Sequence, residues 1–308
     1  MRYTKLSESY LGISEEEIME LFEPFIAGTY EVNDPVWRAE LHSRKRSLLR
    51  KYLKRIIFSW SPSTHRNQET IIEEYARAWN PREYDNYRIG GPLPRISPWE
   101  YGDKGMFASD IGATRFRQLI LIRTLEHLKP ARVLEVGCGN GINLILLACR
   151  FPDIEFTGLE LTHEGHLTAV GLQKQAMLPE VMQEYAPLPL KDPSAFRKIH
   201  FVQGSAADLP FTDKKFDLVF TILALEQMER IRDKALGEIA RVTAGHTLML
   251  EPFRDVNTGW ARMNIIRRDY FRGSIGDLPR YGLKPVTAIN DFPQETFLKA
   301  CAVLAEKQ

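Results

Sequence analysis

Val133-Leu134-Glu135-Val136-Gly137-Cys138-Gly139-Asn140-Gly141 is the stretch on which the fold turns. A short, continuous, β-branched run ends in an acid, as a strand buried on both faces of a parallel sheet should. Three glycines then alternate with other residues, so the chain can turn tightly and bring its backbone close to a ligand. Ile142 to Arg150 follows with a helical pattern. Strand, glycine loop and helix in this order form the device with which α/β sheets hold nucleotide-like molecules. The spacing is G-x-G-x-G, and position 142, where a dinucleotide fingerprint wants its third glycine, is Ile. A nicotinamide-dependent oxidoreductase is therefore disfavoured.

Downstream, strands and helices alternate. Glu155-Phe156-Thr157-Gly158-Leu159-Glu160 reads as a second strand whose terminal acid lies about 20 residues past the loop, where a carboxylate can accept ribose hydroxyls. Glu164 to Met177 reads as a helix, and Pro179 to Lys198 as an irregular insertion. Ile199 to Gln203 is a third strand, Lys215 to Ile222 a fourth, Arg232 to Val242 a helix, and Gly245 to Glu251 a fifth strand. Residues 284–291 and 299–306 are expected to close the sheet as a strand pair, with a C-terminal helix over 295–306 as the alternative.

The motifs between these elements resemble those of the class I, Rossmann-like S-adenosylmethionine-dependent methyltransferases. The first motif there is E/D-x-G-x-G-x-G, matched by Glu135 to Gly141. The second is often G-D-A-x-x-L-P-F, matched here by Gly204-Ser205-Ala206-Ala207-Asp208-Leu209-Pro210-Phe211. Phe216-Asp217-Leu218-Val219-Phe220 and the Glu251-Pro252 strand end fit as well. The resemblance implies a seven-stranded α/β sheet with helices on both faces, covering about residues 113–308. It implies S-adenosyl-L-methionine as cofactor, held by Glu135, Gly137, Cys138, Gly139, Gly141, Glu160, Leu161, Ser205, Ala206 and Ile222. Two positions depart from the pattern. Ser205 stands where Asp is common, and Gln227, in Ala224-Leu225-Glu226-Gln227-Met228, where relatives often carry His. Methyl transfer mainly needs positioning and exclusion of water, so no base is obligatory. His163 and Gln227 are the candidates for a catalytic role.

Residues 1–112 read as an N-terminal helical lobe. Ser14-Glu15-Glu16-Glu17 is a capping box ahead of Ile18, Leu21, Phe22, Phe25 and Ile26. A second helix is expected from Pro35 to Ser59, with Leu41, Leu48, Leu49, Tyr52, Leu53, Ile56 and Ile57 as its apolar stripe, and a third from Gln68 to Trp79. The second carries eight Lys or Arg residues between Arg38 and Arg55 against the single acid Glu40, either a solvated face or a contact for RNA or another polyanion. Residues 80–112 are rich in Gly and Pro and read as an aromatic loop, a lid or a packing layer. Ala113 to Leu128 should lead into the core as a helix. Tyr84 and Tyr87 from the loop, with Arg254 and Trp260 from an arginine-rich segment that also holds Arg262, Arg267, Arg268 and Arg272, are the candidate acceptor-binding residues. Arginine forks suit carboxylate or phosphate, so the expected acceptor is a small molecule bearing such a group, with the lobe shaping its site or a homodimer interface.

The chain of 308 residues, with 41 basic and 40 acidic side chains, is no polyanion binder as a whole. Its three cysteines lack disulfide or zinc spacing. No stretch has the roughly 20 apolar residues of a membrane span. A cytoplasmic methyltransferase is the expectation. The alternatives are an RNA or protein methyltransferase using the basic helix, and a non-catalytic cofactor-binding protein.

Overall fold

The computed structural model describes residues 3–58, 72–73 and 83–308. Apart from 72–73, which are helical, the helix expected over 68–79 lies outside the described residues. The main body is a seven-stranded sheet built on β4 (Arg132–Val136), β5 (Glu155–Glu160), β6 (His200–Gln203), β7 (Phe216–Ile222), β8 (Thr243–Glu251), β9 (Leu283–Ile289) and β11 (Cys301–Lys307). Its order is β6-β5-β4-β7-β8-β11-β9. The first five strands are parallel, and β11 inserts antiparallel between β8 and β9. The strand pair, not the helix, closes the chain. Residues 301–305 are buried one after another, which requires cover on both faces and suits a central strand.

Helices α3 (Asp110–Leu128), α4 (Ile142–Arg150), α5 (His163–Gln173), α7 (Arg232–Val242) and α8 (Gly259–Arg268) flank this sheet, and a short α6 (Glu180–Tyr185) lies within the segment expected to be irregular. Tyr185 of α6 is buried and donates its hydroxyl to Ile111 O at 2.6 Å. The insertion is therefore packed against α3.

The N-terminal lobe is not helical alone. Helices α1 (Glu15–Phe22) and α2 (Pro35–Ile57) are present, and the Ser14 capping box forms as expected. Between them β1 (Ile26–Glu31) begins a second sheet, with β2 (Ile96–Tyr101), β3 (Lys104–Ser109) and β10 (Gln294–Glu295), in the order β1-β3-β2-β10. The aromatic stretch at 80–112, expected as a loop, is thus a hairpin in its second half. Gly102, at φ +59, with Asp103 makes its turn. Pro98 and the glycines read as punctuation, yet Gly105 serves packing. A Cβ there would lie 2.3 Å from the Trp37 ring.

Helix α3 starts at Asp110, capped by the Ser109 hydroxyl, three residues before the expected Ala113. The hairpin and the core are joined with no linker. Helix α2 buries Trp37, Leu41 and Leu48, while Leu49, Leu53, Ile56 and Ile57 of its expected stripe are exposed.

Candidate cofactor and acceptor site

A cavity of about 420 Å³ opens at the carboxyl ends of β4, β5 and β7, where parallel sheets place their ligands. The glycine loop forms its floor. Gly137, Gly139 and Gly141 all have positive φ (+78, +55 and +78), conformations that side chains with a Cβ rarely adopt. Gly137 N and Cys138 N donate to Leu159 O at 2.8 and 3.0 Å, tying the loop to β5. A Cβ on Gly137 would also come within 2.6 Å of Ala224 Cβ, so this turn abuts the loop after β7. Gly141 opens α4 without a side-chain cap, leaving first-turn N–H groups of a kind that suit a carboxylate.

Two buried carboxylates face this floor. Glu160 Oε2 accepts from Gly139 N at 3.0 Å, and Oε1 accepts from Thr162 N at 2.9 Å and Thr162 Oγ1 at 2.6 Å. Three of about four acceptor positions of the carboxylate are thus engaged, with one left on Oε2 for a hydroxyl. Glu135 Oε1 accepts from Asn143 Nδ2 at 2.7 Å, and Asn143 is itself oriented by Gln118 Nε2 at 2.7 Å. Glu135 Oε2 is buried with no hydrogen-bond partner among the described residues. Burial pushes the Glu135 carboxyl up to about 8, with the nearby Glu160 charge acting in the same direction. An orphaned carboxylate oxygen beside a second buried acid with a free acceptor position and a glycine turn suits a ligand carrying both an ammonium and hydroxyls.

The opposite side of the cavity comes from the lobe and the post-β7 loop. Tyr87, Trp99, Asp110, Thr114, Arg117, Glu226, Gln227, Arg230 and Glu295 line it. Trp99 is buried edge-on against Phe22, 5.4 Å between centroids. Arg117 is 8% exposed, its Nε has no hydrogen-bond partner among the described residues, and its guanidinium lies 6.0 Å from the Trp99 ring centre. Leu223, at φ +50, follows β7 in a left-handed conformation and aims the N–H groups of Ala224 and Leu225 at Glu251 Oε1, 3.0 and 3.1 Å away. Glu226 and Gln227 are thereby placed at the cavity wall.

The sequence-derived candidates divide accordingly. Glu135, Gly137, Cys138, Gly139, Glu160, Leu161, Ala206, Ile222, Tyr87 and Gln227 share the cavity. Gly141 supports it from below, where a Cβ would strike the Phe201 ring at 2.7 Å. Ser205 caps its own turn by accepting from Ala207 N at 3.2 Å. His163 is exposed beside Gln203, and Tyr84 and Arg254 lie away from the lining. Trp260 lies under Lys45 of α2, 5.9 Å from the ring centre, as helix packing.

Three arginines of the arginine-rich segment are engaged with protein partners. Arg267 donates to Asn264 Oδ1, Arg268 to the Tyr270 hydroxyl, and Arg272 pairs with Asp269 at 2.7 Å. Their spacing reads as a cluster, but these three turn to partners two or three residues away in the chain. The residues that sequence reasoning missed are Arg117, Trp99, Asp110, Glu226 and Glu295. An arginine inside the otherwise apolar register of α3 was the available signal.

A methyltransferase domain model matches residues 134–249, from β4 into β8. The stretch from β4 into β8 is thus similar to methyltransferase domains. A fatty-acid O-methyltransferase of Mycolicibacterium smegmatis is 36% identical over 111 residues, 36% of this chain and 32% of that protein. Ajmaline N-methyltransferase of Rauvolfia serpentina is 30% identical over 123 residues, 40% of this chain and 36% of that protein. The chain thus spans about a third of the length of these two curated relatives. Among solved structures the cyclase SpnF shares the fold, with a TM-score of 0.52 at 16% identity over 77% of this chain and 95% of that one.

Proposed function

We propose that this protein binds S-adenosyl-L-methionine on the glycine-loop side of the cavity and methylates a small molecule held on the lobe side. The observation that carries the reading is the pairing, in one cavity, of Glu160 on Gly139 N with the orphaned Glu135 Oε2. Glu160 would take a ribose hydroxyl, Glu135 the ammonium, and the open start of α4 the carboxylate. When bound, the cofactor supplies a methyl group already activated on a sulfonium. The chain's own residues orient the acceptor and keep out water.

The expected carboxylate or phosphate on the acceptor is replaced by a different reading. Among the described residues, acids in the lining (Asp110, Glu135, Glu160, Glu226, Glu295) outnumber its cations, Arg117 and Arg230, and Arg230 pairs with Asp269 at 2.9 Å. Another anion would be poorly tolerated there. A neutral or basic acceptor with an apolar body against Trp99 and Tyr87 fits better. The RNA alternative is weakened because Arg55 of the basic helix pairs with buried Asp269 at 3.2 Å.

Because one fold hosts different chemistries, transfer itself must be measured. Calorimetric titration with S-adenosylhomocysteine and with NAD separates the cofactors, and binding of NAD alone would sink the reading. Labelled-methyl transfer into cell extract, with mass spectrometry of the product, identifies the acceptor. Cofactor binding with no labelled product would favour a cyclase-like or non-catalytic role.

A further inference from the structure

Glu226 is a carboxylate with no structural task for one of its oxygens. It is 7% exposed and lines the cavity on the short turn after β7. Gln227 Nε2 donates to its Oε1 at 2.6 Å, which fixes the plane of the group. Oε2 is buried with no hydrogen-bond partner among the described residues. The backbone around it is braced, since Phe271 N donates to Glu226 O at 3.0 Å and Glu251 holds the two preceding N–H groups. Ala224, two residues earlier, lies so close to Gly137 that a Cβ there would come within 2.6 Å of its own, so the turn carrying Glu226 abuts the glycine loop.

We propose that Glu226 is the general base of this site, and that the acceptor is therefore a hydroxyl or an ammonium, a group that must lose a proton to become a nucleophile. The inference rests on the methyltransferase reading above. The electron pair of the acceptor's X–H bond stays on X and forms the new bond to the methyl carbon. The pair of the breaking carbon–sulfur bond goes to sulfur, and the proton ends on Glu226 Oε2. The charged surroundings suit the task. Arg268 from α8 and Arg117 from α3 favour the carboxylate, while Glu295 from β10 and Glu251 from β8 oppose it. Burial outweighs these and holds the group at about 7, where a base is both available and strong enough to act at neutral pH. Gln227, the position that departs from the family's His, is then a positioning residue for the base beside it.

The test compares wild type with Glu226→Gln and Glu226→Asp. Carboxyl-labelled glutamate NMR on protein saturated with S-adenosylhomocysteine should show a resonance titrating between about pH 6 and 8 that is missing from Glu226→Gln. Titration of that carboxyl below about pH 5.5 would overturn the proposal. Methyl transfer is then measured with 2-naphthol, tetrahydroisoquinoline and decanoate as probes. For a hydroxyl or amine probe, Glu226→Gln should lower kcat/KM about 100-fold or more and flatten its rise through neutral pH, with partial rescue by Glu226→Asp. Decanoate, already an anion, needs no base and should be a poor substrate of wild type, and its kcat/KM should not fall in Glu226→Gln, which removes one of the acids facing it. Equal losses on all probes, or no loss, would overturn the assignment. If no probe is methylated by wild type, the titration decides. Loss of S-adenosylhomocysteine binding by wild type itself would instead remove the cofactor reading, which the calorimetry reports separately.

Discussion

Glu160 and Glu135 divide the cofactor side of the cavity by their partners. Glu160 accepts three protein hydrogen bonds, whereas Glu135 accepts one and leaves Oε2 bare among the described residues. Replacing Glu160 by Ala removes the anchor of Gly139 and, on the proposed binding mode, a ligand contact as well. A charge-assisted hydrogen bond is worth about 1.5–3 kcal/mol, so S-adenosylhomocysteine affinity should fall about 10- to 100-fold by calorimetry. For Glu135 the expected signature is a pH dependence. Its carboxyl, pushed up to about 8, is protonated at neutral pH in the free protein, and an incoming ammonium needs it ionised. Affinity should therefore rise with pH up to about 8, by at most about tenfold per pH unit, and Glu135→Gln should abolish the rise. An unchanged slope in that variant would refute the role given to Oε2.

At the scale of elements, turns and junctions hold the site. Gly137 joins β4 to α4 at φ +78 against Ala224. Gly137→Ala should lose cofactor binding and cost about 1–3 kcal/mol of stability, read by urea denaturation. The loop after β7 is pinned from outside. Buried Asp269 receives Arg55 of α2, Arg230 of the loop and Arg272, at 3.2, 2.9 and 2.7 Å. Breaking such a buried pair costs about 3–5 kcal/mol, so Asp269→Asn should lower the denaturation midpoint markedly. Retention of wild-type stability would show that the three arginines are adequately solvated without it. The small sheet closes the acceptor side in the same way. β10, from the C-terminal part of the chain, pairs Glu295 with Trp99 of β2.

Across the whole molecule, buried acids in and behind the cavity set the dependence of stability on pH. Glu226 is raised to about 7, and Glu135 and Glu251 to about 8, all by burial first. A raised acid holds its proton in the folded state where the unfolded chain has released it. Stability therefore falls as pH rises from the ordinary carboxylate range towards about 8, and levels off above. Glu17, Asp192, Asp217 and Glu238 act oppositely, because hydrogen bonds and arginine partners lower them, and their contribution disappears in acid. Calorimetric Tm should peak near pH 5 and decline to pH 8, with Glu226→Gln shallower between about pH 5 and 7. A Tm flat across that range would contradict the burial of these carboxylates as charge-bearing groups.

The sequence by itself determined the parallel core and its glycine loop. Val133 to Gly141 and Glu160 are local signals, since strand burial, positive φ and a strand-end acid are each written within a few residues. The same locality explains why the bounds of α2 and the Ser14 capping box were legible, while the face that α2 buries was not. What only the tertiary structure decided lies where distant segments meet. The hairpin at 96–109 was hidden because Pro98 and Gly105 fit a sheet only once Trp37 and β10 pack beside it. Arg267, Arg268 and Arg272 read as unengaged although Asn264, Tyr270 and Asp269 lie within three residues of them, because the direction each long side chain takes is set by the packing around it. Glu226 and Arg117 were passed over for the converse reason. Burial without a partner is a property of the assembled cavity, and it is what turns an ordinary acid after β7 into the candidate base.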